Sequence, residues 1–153
     1  RILVFQSNRE FLANELEVIK VKVESFIENW MRHGEDLKAS YLVKYNQFIV
    51  LAVDEKYNGV SGCSIDASVN LMKQFEREFG VDLTNKLNIS FKDGNEINVV
   101  SLADFQKFAK EEKITFKTIV FNNMVATKAD FKAKWEVEAK DSWHTKFLTV
   151  KEA

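Results

Sequence analysis

The residue types able to do chemistry crowd into one stretch of this 153-residue chain, from Asp54 to Asp66. Asp54 and Glu55 follow an apolar run, and Ser61-Gly62-Cys63-Ser64 precede a helical pattern. A thiol at a helix N-terminus gains thiolate character from the dipole and free N–H groups. Cys63 is therefore a candidate nucleophile or redox thiol, with His33 as its base if the fold brings the two together. The competing reading makes Cys63 a small buried hydrophobe. Asp54, Glu55 and Asp66 favour that reading, because nearby carboxylates raise a thiol's pKa. The same loop admits an anion: glycines and hydroxyls ahead of a helix aim N–H and O–H groups at negative charge. The candidate ligand-binding set is Asp54, Glu55, Ser61, Gly62, Ser64 and Asp66, with Lys38 or Lys128 as the source of positive charge. The simpler account has Ser61 or Ser64 capping the helix while Asp66 favours its dipole.

Several motifs fail on inspection. A nucleophile elbow needs G-x-S-x-G, and Gly59-Val60-Ser61-Gly62-Cys63 puts cysteine where the second glycine must relieve crowding. Asp141-Ser142-Trp143-His144 holds triad residue types, but a triad is defined by roles in space rather than adjacency. Phe48 through Glu55 is similar to the Walker B strand of ABC-type ATPases, and Val60 through Ser64 resembles their signature loop. More broadly, His33-Gly34, Lys38-Ala39-Ser40 and Ser61-Gly62-Cys63-Ser64-Ile65-Asp66 resemble an uncharacterised bacterial family often labelled "ABC transporter ATPase". The resemblance covers most of the chain and implies no established activity. The label itself lacks its chemistry. A phosphate-cradling loop needs glycine followed by Lys and a hydroxyl residue, whereas the five glycines are followed by Glu, Val, Cys, Val and Asn.

Composition narrows the field further. Lysine and arginine number 22 against 23 acids, a net charge of −1 with both signs interspersed, which argues against nucleic acid as a partner. No apolar run approaches the ~20 residues of a membrane span. One cysteine forms no internal disulfide, which fits a reducing, cytoplasmic compartment. With two histidines, a zinc site would need carboxylates, and neither a metal nor a cofactor is expected. The chain opens at Arg1 inside a strand-like run, so its native start is expected to lie upstream.

Candidate site residues need elements to hold them. Arg1–Gln6 reads as a buried strand, and Ser7-Asn8-Arg9-Glu10 has the form of a capping box, with a start as late as Asn14 the alternative for the helix that follows. Leu12, Leu16, Ile19, Val23, Phe26, Ile27 and Trp30 predict an amphipathic helix ended by Gly34. Lys38–Tyr45 and Phe48–Asp54 predict a hairpin whose second strand is apolar on both faces, hence central. A second helix carries Val69, Met72, Phe75 and Phe79, and Leu87–Lys92 with Glu96–Val100 forms another hairpin. This β-α-β-β-α-β order is the ferredoxin-like one within an α+β class. Ser101 caps a further helix; Phe116–Phe121 predicts a strand, and Lys128–Trp135 and Asp141–Leu148 predict helices. The expectation is a single domain, 1–100 forming the core and 101–153 a largely helical extension covering the sheet's second face. Its role would be to bind a small ligand, an anion above all, or a protein partner; the alternative is an enzyme built on Cys63.

Overall fold

The most apolar run of the chain becomes a strand with neighbours on both sides. In a computed structural model describing residues 1–33, 38–54 and 62–148, with backbone alone at 32, 33 and 62–64, Phe48–Asp54 (β3) pairs antiparallel with both Ile2–Gln6 (β1) and Lys38–Lys44 (β2). Strand order is β1-β3-β2. Ile49, Leu51 and Val53 form one core with Ile19, Val23 and Ile27 of the helix Ala13–His33 (α1) and with Met72 and Phe75 of the helix Gly62–Phe79 (α2). Phe48 and Val50 point the other way and are buried as well. Each such side chain contributes about 1.5–3 kcal/mol through burial, so β3 anchors this part of the chain and leaves Asp54 exposed at its end.

Local chemistry sets the ends of these elements. The capping box expected at Ser7 does not start the helix. Instead Glu15, in the first turn of α1, accepts the Leu12 N–H at 2.8 Å, the reach-back half of a capping box placed five residues later. Leu12, expected on the apolar stripe, therefore sits ahead of the helix and is exposed. Tyr45 and Asn46 both take positive φ, 54° and 52°, as in a type I′ turn, and close the β2–β3 hairpin.

The contact pattern divides the chain into two compact units, Arg1–Thr84 with Ala126–Lys128, and Asn85–Val125 with Ala129–Ala153. The second unit has its own antiparallel sheet, ordered β5-β4-β6-β7, from Asn88–Asp93 (β4), Glu96–Ser101 (β5), Ile119–Phe121 (β6) and Glu136–Glu138 (β7). The chain is thus α+β with two antiparallel sheets, and this corrects the expectation of one ferredoxin-like sheet: β4 pairs with β5 and β6, not with β1. The side chain of Asn85 accepts the Leu87 N–H and its carbonyl the Asn88 N–H, a turn that leads directly into β4. On the edge of β1 facing away from β3, the Ile2 N–H instead meets the Ala126 carbonyl at 2.8 Å.

Phe105, on the helix Leu102–Lys110 (α3), is fully buried in the second unit's core with Ile89, Ile114 and Val120. Ser101 caps α3 as expected, its hydroxyl accepting the Asp104 N–H. The expected strand Phe116–Phe121 shortens to β6 because Thr115 and Thr118 bond to each other in a turn. The helix Lys128–Lys134 (α4) stands where expected, and the terminal helix resolves into two 3₁₀ turns, Ala139–Asp141 and Trp143–Phe147. No helix among the described residues is long and apolar enough to cross a membrane.

Candidate functional site

Strand register gathers charge at one end of the first sheet. Lys38 stands opposite Asp54, Ser40 opposite Ala52, and Ile2 opposite Ala52 on the far side. Side chains alternate along a strand, so these five share one face, the face that carries Phe48 and Val50 at its other end. Two further groups arrive by backbone anchoring. Arg1 exchanges hydrogen bonds with Val53, N to O at 2.6 Å and O to N at 2.8 Å. Lys128 follows two residues after Ala126, whose carbonyl is fixed on Ile2.

The result is a pocket of about 350 Å³ with a small apolar floor, Ile2 and Ala52, and a polar rim of Arg1, Lys38, Ser40, Asp54 and Lys128. Three cationic side chains against one carboxylate leave a surplus of positive charge. No ion pair among the described residues engages Arg1, Lys38, Asp54 or Lys128, although Lys38 and Asp54 face each other across the ladder. Opposite charges ~4 Å apart attract by about 1 kcal/mol in bulk water and about 4 kcal/mol near a protein surface. A concave site with several cations can thus hold an anion that no single surface lysine would.

Of the residues singled out from the sequence, Asp54 lines this pocket, and so do both lysines suggested as its charge partners. Glu55 and Ser61 lie outside the described residues. The backbones of Gly62, Cys63 and Ser64 open α2 and that of His33 ends α1, while the side chains of Cys63, Ser64 and His33 are outside the description. The side chains of the proposed Cys63–His33 pair, and the loop residues 55–61 of the anion loop, therefore lie outside the described residues. Asp66 is exposed, does not line the pocket, and occupies the fifth position of α2, beyond the first turn where a carboxylate favours the dipole. Arg1 and Ser40 were not singled out. Counting outward from an Asn46-Gln47 turn would have paired Ser40 with Val53; the observed turn also takes in Tyr45, which shifts the partner to Ala52, and nothing local announces that Arg1 belongs beside Lys128.

The second unit also contains an arrangement of catalytic residue types, and it is closed. The Ser142 hydroxyl meets His144 Nδ1 at 2.7 Å, but Asp141 is exposed and forms no relay with them. His144 is fully buried, its ring stacked on Trp143 at 4.0 Å and lying 5.5 Å from Phe105. Burial pushes its pKa down to about 4, with the Lys146 charge adding to the effect, so the ring is neutral at pH 7. A histidine sealed among aromatic rings has no access to substrate; its role is packing. No group of three or more His, Cys, Asp or Glu among the described residues is placed to hold a metal ion. No family model, curated protein or solved structure matches the chain.

Proposed function

We propose that this chain binds a small anionic metabolite in the pocket rimmed by Arg1, Lys38 and Lys128. The observation that carries the reading is the convergence of Lys38 and Lys128, far apart in sequence, on one concavity where neither has an ion-pair partner among the described residues. The volume is at the small end of the ~300–1,000 Å³ typical of ligand pockets, which suits a metabolite rather than a dinucleotide. The side-by-side placement of β1 and β3, as in the leading part of a ferredoxin-like unit, supports a rigid floor for such a site. The single cysteine supports a cytoplasmic setting.

Calorimetry and thermal melts with phosphate, sulfate and small phosphorylated or carboxylated metabolites test this directly. Ligand at ~100 times its Kd stabilises by about 2.7 kcal/mol, which at ~2–4 °C per kcal/mol for a chain of this size raises Tm by several degrees. Lys38→Ala and Lys128→Ala should each weaken binding. A flat response across the panel would falsify the reading.

An enzyme built on Cys63 is the second reading, and one observation favours it: Cys63 is the second residue of α2, where free N–H groups favour a thiolate. Alkylation kinetics against pH decide it. Fast labelling with an inflection well below ~8.5 supports a nucleophile, and labelling only on unfolding removes it.

A further inference from the structure

Asp54 is the odd member of the pocket. A site built for a bare anion gains nothing from a carboxylate on its rim, because the carboxylate repels the ligand and offsets one of the cations. Nor is Asp54 spent on Lys38: the two are cross-strand partners yet form no ion pair among the described residues. The pocket is also larger than a bare anion needs. Its 350 Å³ leaves room beyond the five heavy atoms of a phosphate ion, since a single water needs only ~10–15 Å³ of such space.

Resting on the anion-binding reading, we infer that the ligand is a short zwitterion, a phosphate or carboxylate joined by a few bonds to a protonated amine. The anionic end sits among Arg1, Lys38 and Lys128, and the ammonium donates to Asp54. Lys38 and Asp54 are directly opposed in an antiparallel pair, with Cβ atoms about 4.5–5.5 Å apart, so a long flexible cation and a short carboxylate stand within reach of the two ends of one short ligand. The floor of Ile2 and Ala52 accommodates the connecting carbons.

The test uses a matched pair of probes, 2-aminoethyl phosphate and n-propyl phosphate, which differ in having an ammonium or a methyl at one end. Both are titrated by calorimetry into the full chain and into its Asp54→Asn and Lys128→Ala variants. Asp54 is exposed and engages no described partner, so the Asn variant should fold normally, as its melting curve will show. The expected pattern is a crossover. Asp54→Asn weakens 2-aminoethyl phosphate by about fivefold, the effect of a unit charge at ~4 Å in water, and tightens n-propyl phosphate by about twofold, the effect at ~8 Å, because its phosphate sits one linker away from Asp54. Lys128→Ala weakens both. If Asp54→Asn changes both probes by the same factor or in the same direction, the zwitterion is ruled out while anion binding stands. If neither probe nor inorganic phosphate binds the unaltered chain, the anion reading fails and takes this inference with it.

Discussion

Both oxygens of the buried Glu15 carboxylate are held by the guanidinium of Arg9, at 2.8 and 2.9 Å. The same guanidinium donates to the carbonyl of Phe79 at 2.9 Å, so one side chain ties the start of α1 to the end of α2. A fork matched to a carboxylate is a geometry that lysine cannot reproduce. Hydrogen bonding to Arg9 holds the Glu15 carboxyl below the usual carboxylate range; burial opposes this, and the Leu12 N–H reinforces it.

Arg9→Ala should therefore destabilise the fold by roughly 2–3 kcal/mol, because a buried carboxylate loses two charge-assisted hydrogen bonds at once. Arg9→Lys should recover only part of that loss. The sign of the pH dependence follows from the lowered pKa. Stability from this pair is fully present above the unfolded carboxylate value of ~4.3 and is lost as pH falls through the lower folded value. Urea unfolding from pH 6 to pH 2, compared with Glu15→Gln, should show the unaltered chain losing more stability below ~pH 4. Parallel curves would remove the pair from the account.

His144 acts in a different pH window. Its folded pKa of about 4 lies below the ordinary 6.5, so the unfolded chain takes up the proton first. Stability is complete above ~pH 6.5, declines as pH falls toward ~4, and changes no further below that, a total of about 3 kcal/mol. His144→Phe keeps a ring against Trp143 and Phe105 while removing the titration. The variant should unfold at a urea midpoint that depends less on pH between 6.5 and 4 than that of the unaltered chain. Equal dependence in the two proteins would mean that the buried ring does not set this slope.

Much of the first unit was legible because its signals are local. The run Phe48–Val53 is apolar in both registers, and only a central strand buries both faces. That inference also put Asp54 at the strand's exposed end, and Asp54 proved to be a pocket residue. Where two signals competed, the structure chose on grounds periodicity does not contain. Leu12 fits the stripe of α1 as well as Ile19 does, yet the Glu15 carboxylate starts the helix one residue beyond Leu12. The partner of β4 was not legible at all. A three-residue strand such as β6 carries too little pattern to announce that Val120 will pair with Phe91. Lys128 reaches the pocket for a similarly non-local reason, one backbone bond from Ile2 to Ala126.

The β4–β5 hairpin offers a prediction that separates backbone strain from side-chain crowding. Gly94 and Asn95 form its two-residue turn, with Gly94 at φ +62°. A Cβ added there would meet nothing within 4 Å, so a substitution is not penalised by contact. What remains is the left-handed conformation, which costs an ordinary L-residue about 1–2 kcal/mol. Gly94→Ala should lose roughly that amount in urea unfolding. Gly94→Asn should lose somewhat less, because asparagine tolerates positive φ better than alanine does. If strain is the cause, alanine and valine should both be worse than asparagine, with valine worst because branching at Cβ stiffens it further. Three variants equal to one another would show that the turn relaxes to a different geometry, and that the register from Asp93–Glu96 to Asn88–Ser101 is held by the strands rather than by the turn.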